Sequence, residues 1–234
     1  MRKIIKIKKD EIGAIGIGAM IILIAMILVA GVAASVLIST SNTLQIQAMS
    51  TGMQTTREVS TGIRVYAITG LVNKTGSDED GWTYNNITCL AITVEGRAGS
   101  GRIDLNNSYI LLSDGNTKAL IRYGYNDSEF FHDSNPITGD IFDTAKVNWT
   151  NLSHDQFGIA ILQDADGSIT RYNPVLNRGD KAILYIFVNE SAVFGQRIET
   201  RQEIFGHIIP EFGAPGVISF TSPKAYARDV YQLQ

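Results

Sequence analysis

Charge is missing from one long stretch of this chain: residues 13–56 contain no Asp, Glu, Lys or Arg. The densest part, residues 15–38, is apolar except for Ser35. A helix that is apolar all round has no side suited to water and must be buried in lipid or in protein. Proline is absent before Pro136, so nothing in the stretch forbids one continuous helix. Cysteine is nearly absent. With Cys89 alone, an intrachain disulfide framework is excluded, and its alternating apolar setting reads as a small buried hydrophobe. Histidine is scarce: His132, His154 and His207 are scattered along the chain, and each reads as an ordinary surface or core residue. Residues 1–13 hold five basic and two acidic residues, a sum of +3, so the overall −3 leaves −6 for the rest. A mildly acidic remainder without a basic cluster argues against nucleic acid as the partner. G-x-S-x-G, H-E-x-x-H and phosphate-loop motifs are all missing, so the residues give an enzyme reading no support.

What is present starts with a charged leader, where Arg2, Lys3, Lys6, Lys8 and Lys9 precede the apolar run. Positive charge there predicts that this end stays cytoplasmic and the remainder is translocated. At about 1.5 Å per residue, 24 helical residues span about 36 Å, enough for a bilayer core of ~30 Å. Beyond residue 42 the sequence turns polar but stays uncharged. Ile46, Met49 and Met53 share one helical face, roughly continued by Val59 and Ile63. The pattern predicts one helix over about 14–60, with Gly52 and Gly62 as weak points. Ala30/Ala34 and Gly31/Ser35 are small residues four apart, a spacing that lets helices approach closely. Three fates suit the segment. A secretory signal cut near residues 31–33 is one, although the run is too long and continues past that site. A permanent single-pass anchor is the second. The third is a cut before the apolar run, after which the helix packs against copies of itself. Only the third explains why the uncharged stretch outlasts a bilayer and becomes amphipathic.

After residue 64 the texture is β-like. Candidate strands are residues 64–69, 87–95, 108–112, 118–123, 158–163, 168–172, 181–188, 203–208 and 217–221. Turn signals at Asp114-Gly115, Asp166-Gly167 and Arg178-Gly179-Asp180 punctuate them. Such spacing predicts an antiparallel sandwich or barrel. Residues 125–151 read as a long polar surface excursion. Seven N-x-Ser/Thr sequons follow residue 70, at Asn73, Asn86, Asn106, Asn126, Asn148, Asn151 and Asn189, and none precedes it. They point to an extracytoplasmic, N-glycosylated domain; Asn-rich loops without sugar are the plainer account. Asp164-Ala165-Asp166-Gly167 resembles the start of a calcium loop, with Asp164 and Asp166 as the ligands. Position twelve is Val175, not Glu, so this is no EF-hand, and an Asp-Gly hairpin turn explains the same residues.

The sequence GAIGIGAMIILIAMILVAGVAASVLIST over residues 13–40 closely resembles the start of archaeal flagellins, the subunits of the archaeal motility filament. GAPGVISFTSPKAY over 213–226 resembles the family's closing strand. The resemblance implies an α+β fold: a long hydrophobic N-terminal α-helix followed by an immunoglobulin-like antiparallel β-sandwich. Residues 1–13 would be a class III leader peptide, 14–60 the filament-core helix and 61–234 the outer domain. It further implies cleavage between Gly13 and Ala14 by a prepilin-type leader peptidase, transient membrane insertion, and assembly by a membrane platform and ATPase. The product would be an extracellular filament at the cell surface, of this chain alone or mixed with a paralogous subunit. An archaeal type IV adhesion pilin and a membrane-anchored binding ectodomain are the competing readings. Loss of swimming on deletion separates the first of these, and absence from sheared filaments would mark the second.

Overall fold

The computed structural model describes every residue except 1, 78–80, 125–127, 134–135, 189–192 and 196, and only the backbone of 2–12, 14, 77 and 81–82. The chain divides into two compact units, Met1–Gln54 and Thr55–Gln234. The first unit is helix alone. Helix α1 runs Arg2–Ser60, uninterrupted through Gly52, as the lack of proline permits. Every large apolar side chain from Ile15 to Met53 stays 52–73 % exposed. Thr40 Oγ1 donates to the Val36 and Leu37 carbonyls and Thr43 Oγ1 to that of Ser39. These hydroxyls are therefore satisfied within the helix and require no outside partner.

The second unit begins in the last helical turns, which are tied to the strands. Thr61 N donates to Arg57 O at 3.0 Å, Ala214 N to Thr61 O at 2.9 Å, and Ile63 N to Ala214 O at 3.1 Å. Ser100 Oγ lies 3.0 Å from both the nitrogen and the oxygen of Gly62, and the Arg57 guanidinium sits 5.5 Å over the Phe212 ring. Gly213 has φ +96°, and a Cβ there would fall 2.1 Å from the Thr61 oxygen. Only glycine suits both the left-handed backbone and this approach.

Among the described residues twelve strands follow: β1 Ile63–Ser77, β2 Gly81–Gly96, β3 Ile103–Asp104, β4 Tyr109–Ser113, β5 Lys118–Tyr123, β6 Phe131–His132, β7 Gln156–Gln163, β8 Val175–Leu176, β9 Lys181–Phe187, β10 Glu203–Ile209, β11 Gly216–Thr221 and β12 Val230–Gln232. β3 pairs β8; the others form one sheet in the order β11-β10-β4-β5-β7-β9-β2-β1-β12, with β6 beside β7. The expected antiparallel pairing holds through most of it. β5 and β6 run parallel to β7. The long segment after β5 carries the chain back before β7 starts, the kind of crossover parallel neighbours require. The sheet curls so that its β11 end and its β1 end come together around one core. Gly62 bridges Ala214, and Ser219 N donates to Gln234 Oε1 at 3.1 Å. Inside the roll lies one core, with Ile63, Ile92, Leu112, Phe157, Leu184 and Ile218 among its members. Alternation puts it there: β10 and β11 bury every second residue.

Two sequence expectations change. Residues 168–172 form a loop, not a strand. The Asp164 carboxylate takes the N–H groups of Asp166, Gly167, Ser168 and Ile169, and Thr170 turns back onto Asn173. Those donors are then lost to a ladder. The excursion over 125–151 also does more than cover surface. Its Phe130, Ile137, Phe142, Val147 and Trp149, with Leu152, build a second core over the outward side of β7, β9 and β2, against Ala160, Tyr185 and Cys89. Trp149 Nε1 donates to Phe142 O at 2.8 Å and Tyr185 Oη to Ile141 O at 2.7 Å, which satisfies the polar atoms buried with the rings.

Candidate assembly surface and modification sites

Polymerisation needs a surface that water cannot satisfy, and α1 provides one. Ala30 and Ala34 share one helical stripe, and Gly31 and Ser35 the adjacent one, because residues four apart stack along a helix. All four are exposed. Beyond the helix's own neighbouring backbone, no described atom lies within 4 Å of where a Gly31 Cβ would stand, so another helix can approach closely there. The segment beginning at Ile15 is long and apolar enough to cross a membrane, and none of its most apolar window is buried within the chain. Such a surface suits lipid or a bundle of helices. Gly13 is exposed and, like Ala14, lies within α1.

The sequons fall in four settings. Asn73 and Asn86 lie on β1 and β2, Asn106 follows β3, and Asn148 precedes the short 3-10 turn Trp149–Asn151, which Asn151 ends. Asn126 and Asn189 lie outside the described residues. Asn106 and Asn151 are exposed; Asn73, Asn86 and Asn148 are half-buried. Asn148 and Asn151 both donate their side-chain amides to Glu129 Oε2, at 2.8 and 3.1 Å. Thr150 Oγ1 donates to Asn148 Oδ1 at 2.7 Å. Sequence reasoning missed Glu129, which sits about twenty residues upstream with no local signal. An amide carrying a sugar keeps one N–H, so this hydrogen-bonding pattern is compatible with modification of either asparagine.

The Asp164 loop gathers a third carboxylate. Oxygens of Asp164, Asp166 and Asp180 all lie within 4.8 Å of one another. Asp180 arrives from the Arg178-Gly179-Asp180 turn, which the sequence flagged as a turn but not as a neighbour of Asp164. Each carboxylate also holds the loop. Asp180 Oδ2 accepts from Asn177 N at 2.9 Å and from Ser168 Oγ at 3.3 Å. Asp166 Oδ2 accepts from Asn177 Nδ2 at 2.8 Å. Hydrogen bonding from Ser168, and after it from Asn177, keeps the Asp166 carboxyl below its ordinary range. Three hard oxygen donors so close together fit a calcium ion's ligand chemistry.

Cys89 is fully buried in the second core, and burial pushes its thiol well above the ordinary value. It is the inert packing residue its alternating setting implied.

Comparison with known proteins matches the same regions. A family model described as archaeal-type flagellin matches residues 13–220. Flagellin B2 of Methanocaldococcus jannaschii is 43% identical over 234 residues, covering 99% of this chain and all of that protein. Flagellin B3 of Thermococcus kodakarensis is 38% identical, covering 95% and 97%. Among solved structures, the crystal structure of archaeal flagellin FlaB1 from M. jannaschii superposes with a TM-score of 0.62 at 34% identity, covering 74% of this chain and 97% of that one. The archaeal flagellum of Methanospirillum hungatei shares the fold, with a TM-score of 0.56 at 16% identity, covering 92% and 98%.

Proposed function

The chain belongs to the archaeal-type flagellin family, and on that premise we propose that it is the structural, non-enzymatic subunit of an extracellular motility filament, polymerising through α1. The observation that carries this reading is the uncharged, outward-facing apolar surface of α1. Burying about 20 apolar side chains at ~1.5–3 kcal/mol each far exceeds the roughly 4–15 kcal/mol that one docking event costs. In lipid the same side chains are already satisfied, so transfer from membrane to filament must be driven. An ATPase and membrane platform supply that drive in this reading. Before transfer, a prepilin-type peptidase cuts between Gly13 and Ala14, which frees the apolar helix from its charged leader and leaves 221 residues (234 − 13).

The outer unit carries the accessory chemistry in this reading. N-glycans occupy several sequons, with Asn148 and Asn151 favoured by their shared turn, and the loop of Asp164, Asp166 and Asp180 takes calcium. Deglycosylation followed by intact-mass measurement tests the first. Calorimetric titration with calcium chloride tests the second; absence of heat would remove it. The central test is N-terminal sequencing of sheared filaments, together with motility of a deletion strain. A terminus at Ala14 and loss of swimming are expected. Swimming cells that lack the chain would overturn the motility role, and a terminus at Met1 the processing step.

A further inference from the structure

Two acceptor asparagines crowd one short turn. The sequons of Asn148 and Asn151 occupy residues 148–150 and 151–153 and abut without a spacer. Folding draws their side chains together. Both amide nitrogens donate to Glu129 Oε2, at 2.8 and 3.1 Å. Sharing one acceptor atom at hydrogen-bond distance puts the two nitrogens no more than about 6 Å apart. Each nitrogen is the atom to which a sugar would be joined. Two hexose rings, with their hydroxyls and the sugars that extend them, crowd one another across so small a gap. The turn is not free to widen. Trp149, between the two asparagines, is buried in the second core, with its Nε1 bonded to Phe142 O at 2.8 Å.

The two positions are not equivalent. Among the described residues, Asn148 lines an open cleft with Ser128, Glu129, Thr144, Ala145 and Lys146, and Asn151 does not. Two hydroxyls, a carboxylate and an ammonium supply both donors and acceptors there, the mixture that a sugar's hydroxyls require. Lys146 is held in place by donating Nζ to the Thr138 and Asp140 carbonyls. Thr150 Oγ1 donates to Asn148 Oδ1 at 2.7 Å, which fixes the third residue of that sequon against the first. A sugar on half-buried Asn148 would therefore rest against protein, whereas one on exposed Asn151 would project into water.

We propose that this turn takes a single N-glycan per chain: Asn148 is the seat, and Asn151 is modified only in copies whose Asn148 is bare. This rests on the glycan reading above. In the transfer, Nδ2 bonds to the anomeric carbon of a phosphate-activated oligosaccharide. The anomeric C–O bond breaks, phosphate leaves with the bonding pair, and one amide proton passes to a base of the transferase. A sugar already on Asn148 stands where the second oligosaccharide must approach. The chain offers a direct test. Trypsin cleavage after Lys146 and Arg171 releases residues 147–171, which hold these two sequons and no other. Mass spectrometry of that peptide, from the full-length chain made in its own cells, should find one glycan per molecule, mostly on Asn148. Asn148→Gln should raise the occupancy of Asn151 severalfold. Thr150→Ala, which keeps Asn148 but cancels its sequon, should do the same. Asn151→Gln should leave Asn148 occupancy unchanged. Peptides carrying two glycans would overturn the proposal, and so would an Asn151 occupancy indifferent to both Asn148→Gln and Thr150→Ala. A bare peptide from a chain glycosylated at other sequons would overturn it too, with the glycan reading intact. A chain bare at every sequon would remove the glycan reading and this proposal with it.

Discussion

Replacing Gly213 with alanine should loosen the joint between the end of α1 and the sheet. Two costs arise. A non-glycine residue held in the left-handed region costs about 1–3 kcal/mol, and Gly213 sits at φ +96°. The new Cβ would also stand 2.1 Å from the Thr61 oxygen and 2.5 Å from its carbonyl carbon. Backbone must therefore shift, and the 2.9 Å bond from Ala214 N to Thr61 O is the first to suffer. Losing it adds about 0.5–1.5 kcal/mol. The sum is roughly 2–4 kcal/mol, which for a domain of this size lowers Tm by roughly 5–15 °C. Gly115→Ala is the control. Gly115 has φ +90° with open space around it, so it carries the backbone cost without the collision. Differential scanning calorimetry of a fragment starting at Thr55 reads both. Gly213→Ala must fall below Gly115→Ala. Equal Tm values for the two would refute the collision argument, and a Gly213→Ala Tm equal to that of the parent would refute both terms.

Three other outcomes are expected. Gly31→Asp or Ala34→Glu should abolish filaments while leaving the outer unit folded, because a charge in a dry bundle costs several kcal/mol unless paired and residues 13–56 contain no opposite charge; electron microscopy of sheared material with circular dichroism decides it. Trp149→Ala should cost about 3–5 kcal/mol in urea unfolding by emptying the centre of the second core, with the first core retained. Alkali should destabilise the outer unit. Burial holds the Tyr123 and Tyr185 phenols protonated well above their ordinary value of 10.0. The stability tied to those protons is complete below pH 10 and is lost as pH rises further, because the unfolded chain ionises first. Unfolding free energies on either side of pH 10 check the sign.

The helix was legible because one property, the absence of charge, runs through the whole of residues 13–56, and because Gly62 marks where it stops. Strand β5 was legible at both ends, since apolar alternation and turn residues agree there. Strands β1 and β2 run further than their apolar cores suggest. Asn73, Thr75 and Asn85 look like turn residues, yet the ladder continues past them, with bulges absorbing the irregularity. Strand β12 spans three residues, too few for any period, and exists because β1 offers it an edge. Residues 168–172 misled because alternation cannot reveal that Asp164 captures the neighbouring N–H groups. At the candidate sites, partners distant in sequence were invisible: Asp180 beside Asp164, and Glu129 beneath two sequons. Only the fold brings them together.

The meeting of the sheet's two ends has a consequence for growth. Unpaired strand edges are the groups through which proteins recruit one another's strands, without regard to order. In a filament many copies of the chain are held together for the life of the polymer. A free edge there would invite neighbours to zip together at random registers. Gly62, Ala214, Ser219 and Gln234 occupy such positions already. At these positions the groups are already engaged within the chain and are not offered to a neighbouring copy.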